Sequence, residues 1–312
     1  MSRVMTGAAA RRLGLLGWPV AHSLSPAMQQ AALHALGLPW TYELLPTPPD
    51  ALAAAVQTLR QQGFVGANVT VPHKQAVMPW LDDLTPVARA MGAVNTLFWT
   101  TGPLSAQAGR VDSAVETGVQ SSCLVGDNTD GRGFIADLRA HDVLIAAQRA
   151  LVIGGGGAAR AVVYALAEAG AAVAIVNRTL AHAQAIAAAV ASHIAGAQLT
   201  CGTFPDDLAS AAAGATLVVN STSVGLWPDV DAMPWEETLA FRPDQVVYDL
   251  VYQPRLTALL RKAQADGARV IDGLGMLVEQ GAAALTRWTG QPAPVAVMRQ
   301  AAEAALALRE GH

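Results

Sequence analysis

The feature that most constrains this chain is a turn. Residues 150–153, Ala-Leu-Val-Ile, run directly into Gly154-Gly155-Gly156-Gly157-Ala158-Ala159. A short apolar run, clustered glycines and a following alanine-rich stretch reproduce the strand, turn and helix of the G-x-G-x-x-G/A dinucleotide fingerprint. In that arrangement the glycines let a pyrophosphate approach the backbone, and the helix N-terminus offers unpaired N–H groups to its phosphates. A flexible glycine linker, the plainer reading, would need neither the strand before nor the helix after. We therefore expect Gly154, Gly155, Gly156, Gly157 and Ala158 to bind a cofactor.

The second strand after this turn ends in Asn177-Arg178-Thr179. An NAD site carries Asp or Glu near that position to hold the ribose 2′-OH. Arg178 instead suits a 2′-phosphate, through a charge-assisted bond, and stacks on adenine. The pattern therefore favours NADP over NAD; the plainer reading of Arg178 is a solvated arginine at a strand end.

The rest of the chain alternates in the same way. Strands are expected at 13–17, 41–45, 65–69, 96–100 and 123–126, with helices at 26–36 and 51–62 between the first three, which predicts a mostly parallel sheet covered by helices. Residues 101–122 are rich in Gly, Ser and Thr and read as a long hairpin. After the glycine turn come helices at 158–169, 180–194 and 256–265 and strands at 172–176, 216–220, 245–250 and 269–271, a doubly wound half. Helices at 274–288 and 294–308 are not needed by that half and are expected to return to the first domain. The domain organisation expected is 1–129 with 274–312, and 130–273.

At 312 residues the chain has room for two domains. Hydrophobic residues at 52% and charged ones at 14% exclude a disordered chain. No run of 18 uninterrupted apolar residues occurs, so no membrane partner is expected. Twenty Lys and Arg against twenty-four Asp and Glu, net −4, lack the basic footprint of nucleic-acid binding and point to a small-molecule partner. Cys123 and Cys201 are too few for a disulfide framework and read as buried apolar residues; no metal-ligand spacing is present. Arg11-Arg12 before 13–17 imitates a twin-arginine signal, but the apolar stretch stops at Pro19 and His22 without a small-x-small cleavage site. It reads as a first strand, and the cytoplasm is the expected compartment.

Several polar groups remain to be explained. In His22-Ser23-Leu24-Ser25-Pro26, two hydroxyls at i and i+2 of an extended segment face one side and suit a carboxylate, although Ser25 before Pro26 also reads as a helix N-cap. Asn68-Val69-Thr70-Val71-Pro72-His73-Lys74 ends a strand and opens a helix, placing Lys74 in the first turn against the helix dipole. His73 reads as a packing or surface residue. Asn95 and Asp130 bracket the hairpin, and Asp130 alternatively caps a helix beginning near Arg132. Met276 and Gln280 lie at i, i+4 on one helix face. Leu250 ends the penultimate strand, where an apolar side chain keeps water from a nicotinamide.

Together these stretches resemble the shikimate dehydrogenase family. The resemblance rests on Ser23-Leu24-Ser25-Pro26, the Asn68 to Lys74 stretch, Gly92-Ala93-Val94-Asn95-Thr96, Gly126-Asp127-Asn128-Thr129-Asp130-Gly131 and the glycine turn through Arg160. It continues with Asn177-Arg178-Thr179, Asn220-Ser221-Thr222-Ser223-Val224-Gly225, Tyr248-Asp249-Leu250-Val251-Tyr252 and Gly273-Leu274-Gly275-Met276-Leu277-Val278-Glu279-Gln280. It spans nearly the whole chain.

The resemblance implies two α/β domains, an N-terminal substrate domain and a Rossmann-type NADP-binding domain, with the active site in the cleft between them. It implies reversible reduction of 3-dehydroshikimate to shikimate with NADPH, in the chorismate route to aromatic amino acids. It assigns Lys74 and Asp130 as the catalytic pair, with Ser23, Ser25 and Tyr252 on the substrate carboxylate and Thr70, Asn95 and Gln280 on ring hydroxyls. Asn68 belongs to the same substrate side. The cofactor side adds Asn177, Arg178, Thr179, Thr222, Leu250, Gly273 and Met276. Departures from the family pattern are Glu279 in place of a small residue, Leu250 in place of methionine, the extra Gly155 and the long hairpin. Glu279 is about 100° round the helix from Gln280, which is compatible with facing solvent, whereas reaching the cleft would alter the hydroxyl pocket. Rival readings are a quinate/shikimate dehydrogenase using NAD, a paralogue with another ring substituent, an NADPH-binding regulator without turnover, and a folate- or tRNA-linked reductase sharing only the second domain. Monomer and homodimer are both compatible with the sequence.

Overall fold

Short apolar runs bounded by glycine, proline or asparagine become strands throughout the computed structural model, which describes residues 11–104 and 122–310. The chain divides into two compact units, Met1–Thr85 with Val94–Asp127 and Gly281–His312, and Pro86–Ala93 with Asn128–Gln280. This division assigns 86–93 to the second unit and falls after 127 and 280, where the sequence suggests breaks after 129 and 273.

The first unit is built on a six-stranded sheet of β1 (Arg12–Gly17), β2 (Thr41–Pro46), β3 (Phe64–Val69), β4 (Asp83–Leu84), β5 (Thr96–Thr100) and β6 (Cys123–Asp127), in the order β2-β1-β3-β5-β6-β4. β1 pairs in parallel with β2 and β3, as helical crossovers require, and β4 pairs in parallel with β6. β5 is antiparallel to both β3 and β6, with Thr96 opposite Asp127 and Thr100 opposite Cys123. That ladder is the base of the expected hairpin, whose residues 105–121 lie outside the described residues. The segment 12–17, with its signal-like arginine, forms a strand whose Leu13 and Leu16 are fully buried. The crossovers are α1 (Ser25–Ala35) and α2 (Leu52–Gln61), and a single turn, α3 (His73–Ala76), follows β3.

The second unit begins with α4 (Pro86–Met91) and α5 (Asp130–Ala140). Its sheet contains β7 (Arg149–Ile153), β8 (Ala172–Asn177), β9 (Leu199–Thr203), β10 (Leu217–Asn220), β11 (Val246–Asp249) and β12 (Arg269–Ile271). All are parallel, in the order β12-β11-β10-β7-β8-β9. Numbered from β7, this is the 3-2-1-4-5-6 order of the doubly wound dinucleotide fold, with its switch point between β7 and β10. Helices α6 (Gly157–Glu168), α7 (Leu180–Ala191), α8 (Leu208–Gly214) and α9 (Ala258–Ala265) provide the crossovers. Leu151, Val152, Val218, Val219 and Val247 are fully buried, which accounts for continuous apolar runs rather than alternation in these strands.

The boundary between units cuts α10 (Leu274–Thr289) after Gln280, and α11 (Val295–Glu310) packs on α1 within the first unit. Four elements escape the sequence pattern, one of them β4, only two residues long. β9, Leu-Thr-Cys-Gly-Thr, is a half-exposed edge strand without a clear apolar face, and α4 and α8 are too short to show a helical period. Cys123 and Cys201, expected to be buried, are half-buried free thiols because both sit in edge or near-edge strands; burial raises the pKa of each. Among the described residues no helix is long and apolar enough to cross a membrane, and no group of three or more His, Cys, Asp and Glu could hold a metal ion.

Candidate active site

In the first unit the polar candidates gather at the C-terminal ends of β1 and β3 and at the start of β5. The serine loop is not extended. Leu24 has helical dihedrals (φ −85°, ψ −10°) and α1 already includes Ser25, which makes no capping bond with its side chain. Ser23 has the capping role instead, its Oγ accepting the Ser25 N–H at 3.1 Å. The loop is also clamped from α11, where Arg309 donates to the carbonyls of His22 (2.5 Å) and Ser23 (3.2 Å). Nothing in the sequence near Arg309 signals that contact, because the partners are more than 280 positions apart.

Beyond β3, Thr70 donates its N–H to Leu16 O and accepts from His73 N–H, each at 2.8 Å, closing the turn before α3. His73 is buried, with Nε2 2.6 Å from Thr47 O, so it packs under the turn. Lys74, the second residue of α3, is half-buried, and its carbonyl accepts from Val94 N–H at 2.7 Å. That bond fixes the lysine backbone to the segment leading into Asn95. Asn95 is 2% exposed, its N–H donates to Asp127 O, and its carbonyl accepts from Val69 N–H (2.8 Å) and Asn68 Nδ2 (3.1 Å). Ser25, Asn68, Thr70, Lys74 and Asn95 are thus carried by one network of strand ends and turns.

In the second unit the glycine turn lies at the switch point. Gly154 has φ +130°, a backbone favouring glycine, and its N–H donates to Val176 O at 2.9 Å. A Cβ on Gly155 would sit 2.9 Å from the Asn177 side-chain amide, so any larger residue there would push that amide aside. Gly156 precedes α6, whose first residues are Gly157 and Ala158. Asn177 donates from Nδ2 to Thr179 O at 3.0 Å, while Arg178 and Thr179 are exposed.

Across the switch point, Asn220 Oδ1 accepts from both Thr222 N (3.0 Å) and Thr222 Oγ1 (2.7 Å). Asn220 Nδ2 donates to Asp249 Oδ1 at 2.8 Å. Asp249, fully buried, also accepts from Val251 N (3.0 Å) and Thr257 Oγ1 (2.7 Å). Burial raises its pKa to about 6 against these stabilising bonds. Leu250 follows β11, half-buried, with its N–H on Asn220 O, and Tyr252 follows in the same loop. Gly273 packs on the backbone of Leu250, where a Cβ would meet carbonyl carbon at 2.5 Å.

Asp130 is the first residue of α5, not a cap for a later start: its own N–H donates to Asn128 Oδ1 at 3.0 Å, and its side chain is 3% exposed. One face of α5 packs on α10, and a Cβ on Gly133 would lie 2.6 Å from Gln280 N. Tyr248 donates to Asp137 Oδ2 at 2.6 Å beneath this contact, and burial raises the phenol's pKa. Met276 and Gln280 are 7% and 9% exposed. Glu279 is half-buried rather than fully turned to solvent. Burial lowers the pKa of Arg160, on α6, whose guanidinium packs over Gly92.

A doubly wound sheet with a glycine turn at its switch point, joined to a second α/β unit bearing buried Ser and Asn beside half-buried Thr and Lys, defines a dinucleotide-dependent dehydrogenase class of protein. Residues 15–97 match the shikimate dehydrogenase substrate binding domain, 138–225 the shikimate / quinate 5-dehydrogenase model, and 273–303 the shikimate 5'-dehydrogenase C-terminal domain. A shikimate dehydrogenase (NADP(+)) of Moorella thermoacetica is 43% identical over 300 residues, 96% of this chain and 95% of its own length. One from Geobacter metallireducens is 44% identical over 300 residues, 95% and 97%. The crystal structure of the Thermus thermophilus shikimate 5-dehydrogenase with NADP(H) and shikimate aligns with a TM-score of 0.78 and 40% identity, covering 95% of this chain and 100% of that one. The chain belongs to the shikimate dehydrogenase family.

A dinucleotide fits the residues present. Side chains at 154 and 155 would fill the space against Ser221 and Asn177, the α6 N-terminus follows at once, and Arg178 is exposed at the end of β8.

Proposed function

We propose that this chain is an NADP-dependent oxidoreductase interconverting 3-dehydroshikimate and shikimate. The observation that carries this reading is the alignment, over 95% of the chain, with a structure holding both NADP(H) and shikimate. We assign the unit bearing β1–β6 to substrate and the doubly wound unit to NADP, held by Gly154, Gly155, Gly156, Gly157, Ala158, Asn177, Arg178, Thr179 and Thr222.

Ketone reduction needs a hydride at carbon and a proton at oxygen. Bound NADPH supplies the hydride. Lys74 supplies the proton at the carbonyl oxygen, and its ammonium stabilises the alkoxide charge as it develops. Asp130 is the carboxylate partner that orients the ammonium. Ser23, Ser25 and Tyr252 hold the ring carboxylate, while Thr70, Asn95 and Gln280 hold ring hydroxyls. Asn68 acts through Asn95, to whose carbonyl it donates. Leu250, Met276 and Gly273 line the nicotinamide side, where apolar side chains exclude water. The reverse reaction returns the alcohol proton to Lys74 and so gains from higher pH.

We place the protein in the cytoplasm as a monomer or homodimer; free half-buried thiols suit a reducing compartment. The test is absorbance of reduced nicotinamide with shikimate or quinate, each with NADP or NAD. Reduction with shikimate and NADP supports the assignment. Activity confined to quinate or to NAD refutes it, and NADPH binding without turnover identifies a regulator.

A further inference from the structure

Several buried polar groups of the first unit form one chain through a residue with no role so far. Tyr42, on β2, is 6% exposed, and its ring lies 6.4 Å from that of Trp288. Its hydroxyl donates to Asn68 Oδ1 at 2.8 Å, with the Ser25 side chain close by. Burial raises the phenol's pKa, so it remains a neutral O–H at working pH. Asn68 Nδ2 then donates to Asn95 O (3.1 Å) and Thr96 Oγ1 (3.4 Å), and Thr96 Oγ1 donates to Asn95 Oδ1 at 2.8 Å.

The direction of each bond follows from the first. A phenol bonded to Asn68 Oδ1 can only donate to it, so Asn68 is turned with Nδ2 toward Asn95 and Thr96. Thr96, receiving at its oxygen, spends its own proton on Asn95 Oδ1, so the Asn95 amide is turned to offer N–H donors on its other side. At the opposite end, Tyr42 Oη keeps its lone pairs for a donor, and the Ser25 hydroxyl lies close enough to be one. Ser25 can swing its proton to an arriving carboxylate without breaking the Tyr42 to Asn68 bond.

We infer that Tyr42 is a specificity-determining positioning residue, whose hydroxyl sets the orientation of Asn95 toward a ring hydroxyl and joins it to the carboxylate-binding Ser25. This rests on the reading that Ser25 and Asn95 hold substrate. Tyr42 touches neither substrate nor cofactor in this scheme.

The test compares native enzyme, Tyr42→Phe and Thr96→Val by steady-state kinetics with shikimate, 4-deoxyshikimate and 5-deoxyshikimate, alongside NADPH affinity by fluorescence and thermal melting. Tyr42→Phe removes one oxygen, and Thr96→Val cuts the chain at its far end with little change of shape. Each variant is expected to raise KM for shikimate about tenfold, the effect of misplacing one hydrogen bond, with kcat changed less than about threefold. The preference for shikimate over the analogue lacking the Asn95-bound hydroxyl falls by a similar factor, and NADPH affinity is unchanged. The double variant is expected to be little worse than either single one, because both break one chain. Folded Tyr42→Phe with native KM and native preference overturns the inference, as do single effects that simply add. A merely structural role lowers melting temperature and kcat together and leaves the preference intact, which also overturns it. If Tyr42→Phe does not fold, Thr96→Val decides by the same readouts. Native enzyme inactive on shikimate refutes the functional reading itself, a result distinct from all of these.

Discussion

Replacing Asp249 with asparagine should make the protein more stable at neutral pH relative to acid pH, a counterintuitive result for a fully buried and fully bonded side chain. The carboxyl titrates at about 6 in the folded state against 3.8 ordinarily, because desolvation outweighs the bonds from Thr257, Val251 and Asn220. A folded pKa above the unfolded one means that the folded protein binds the proton more tightly. Its stabilising contribution is present below about pH 4, falls as pH rises toward 6, and is absent above it. Roughly two pH units correspond to about 3 kcal/mol. Asparagine keeps an oxygen for Asn220 and Val251 and turns its Nδ2 to Thr257 Oγ1, without a charge to desolvate. Urea denaturation of both proteins from pH 4 to 8 should therefore show the difference in unfolding free energy moving by about 3 kcal/mol in favour of Asp249→Asn between pH 4 and 7, then levelling. A difference that stays flat across that range would falsify the claim that desolvation governs Asp249.

Lys74→Ala should lower turnover by about 10²–10⁴-fold, the usual weight of a positioned acid, with NADPH affinity unchanged in a fluorescence titration; near-native turnover removes Lys74 from the role. Arg178→Glu should weaken NADPH by about tenfold or more and leave NADH little changed, since the side chain is exposed and only the 2′-phosphate distinguishes the cofactors; equal loss of both refutes the assignment. Gly133→Ala should cost about 1–3 kcal/mol in thermal or urea unfolding, because its methyl would press on the Gln280 backbone; native stability would mean that α5 can withdraw from α10 freely.

What can be read from the sequence is what repeats locally. The glycine turn, the apolar strands around it and the strand-end motifs carry their geometry in a few consecutive residues, so β7, β10, β11 and the turn at Gly154 are legible. The serine loop misleads because Pro26 signals a helix start but not its first residue, and the capping oxygen is Ser23. β9 is invisible because an edge strand with one face in solvent needs no apolar run. Arg309, Tyr42 and Tyr248 carry no local signal at all. Each acts on a partner at least 26 positions away, and a tyrosine in a strand reads as core whether or not its hydroxyl is bonded.

The two units solve one chemical problem in opposite ways. An asparagine amide offers nearly the same shape with its oxygen and nitrogen exchanged, so its orientation at a site must be dictated by a neighbour that cannot play both parts. On β3, the Tyr42 hydroxyl donates to Asn68 Oδ1 and forces the amide N–H groups toward Asn95. On β10, the acceptor-only Asp249 draws Asn220 Nδ2 and forces Oδ1 toward Thr222. In each case the controlling group is buried and perturbed by burial, and in each case the residue it orients through the amide is one assigned to substrate or cofactor. Burying a phenol and a carboxylate is costly for stability, and fixing a donor at one site and an acceptor at the other is the compensating gain. Variants at Tyr42 and Asp249 should accordingly separate: loss of the phenol loosens substrate choice, whereas loss of the charge at 249, with its oxygen retained, changes stability before it changes cofactor binding.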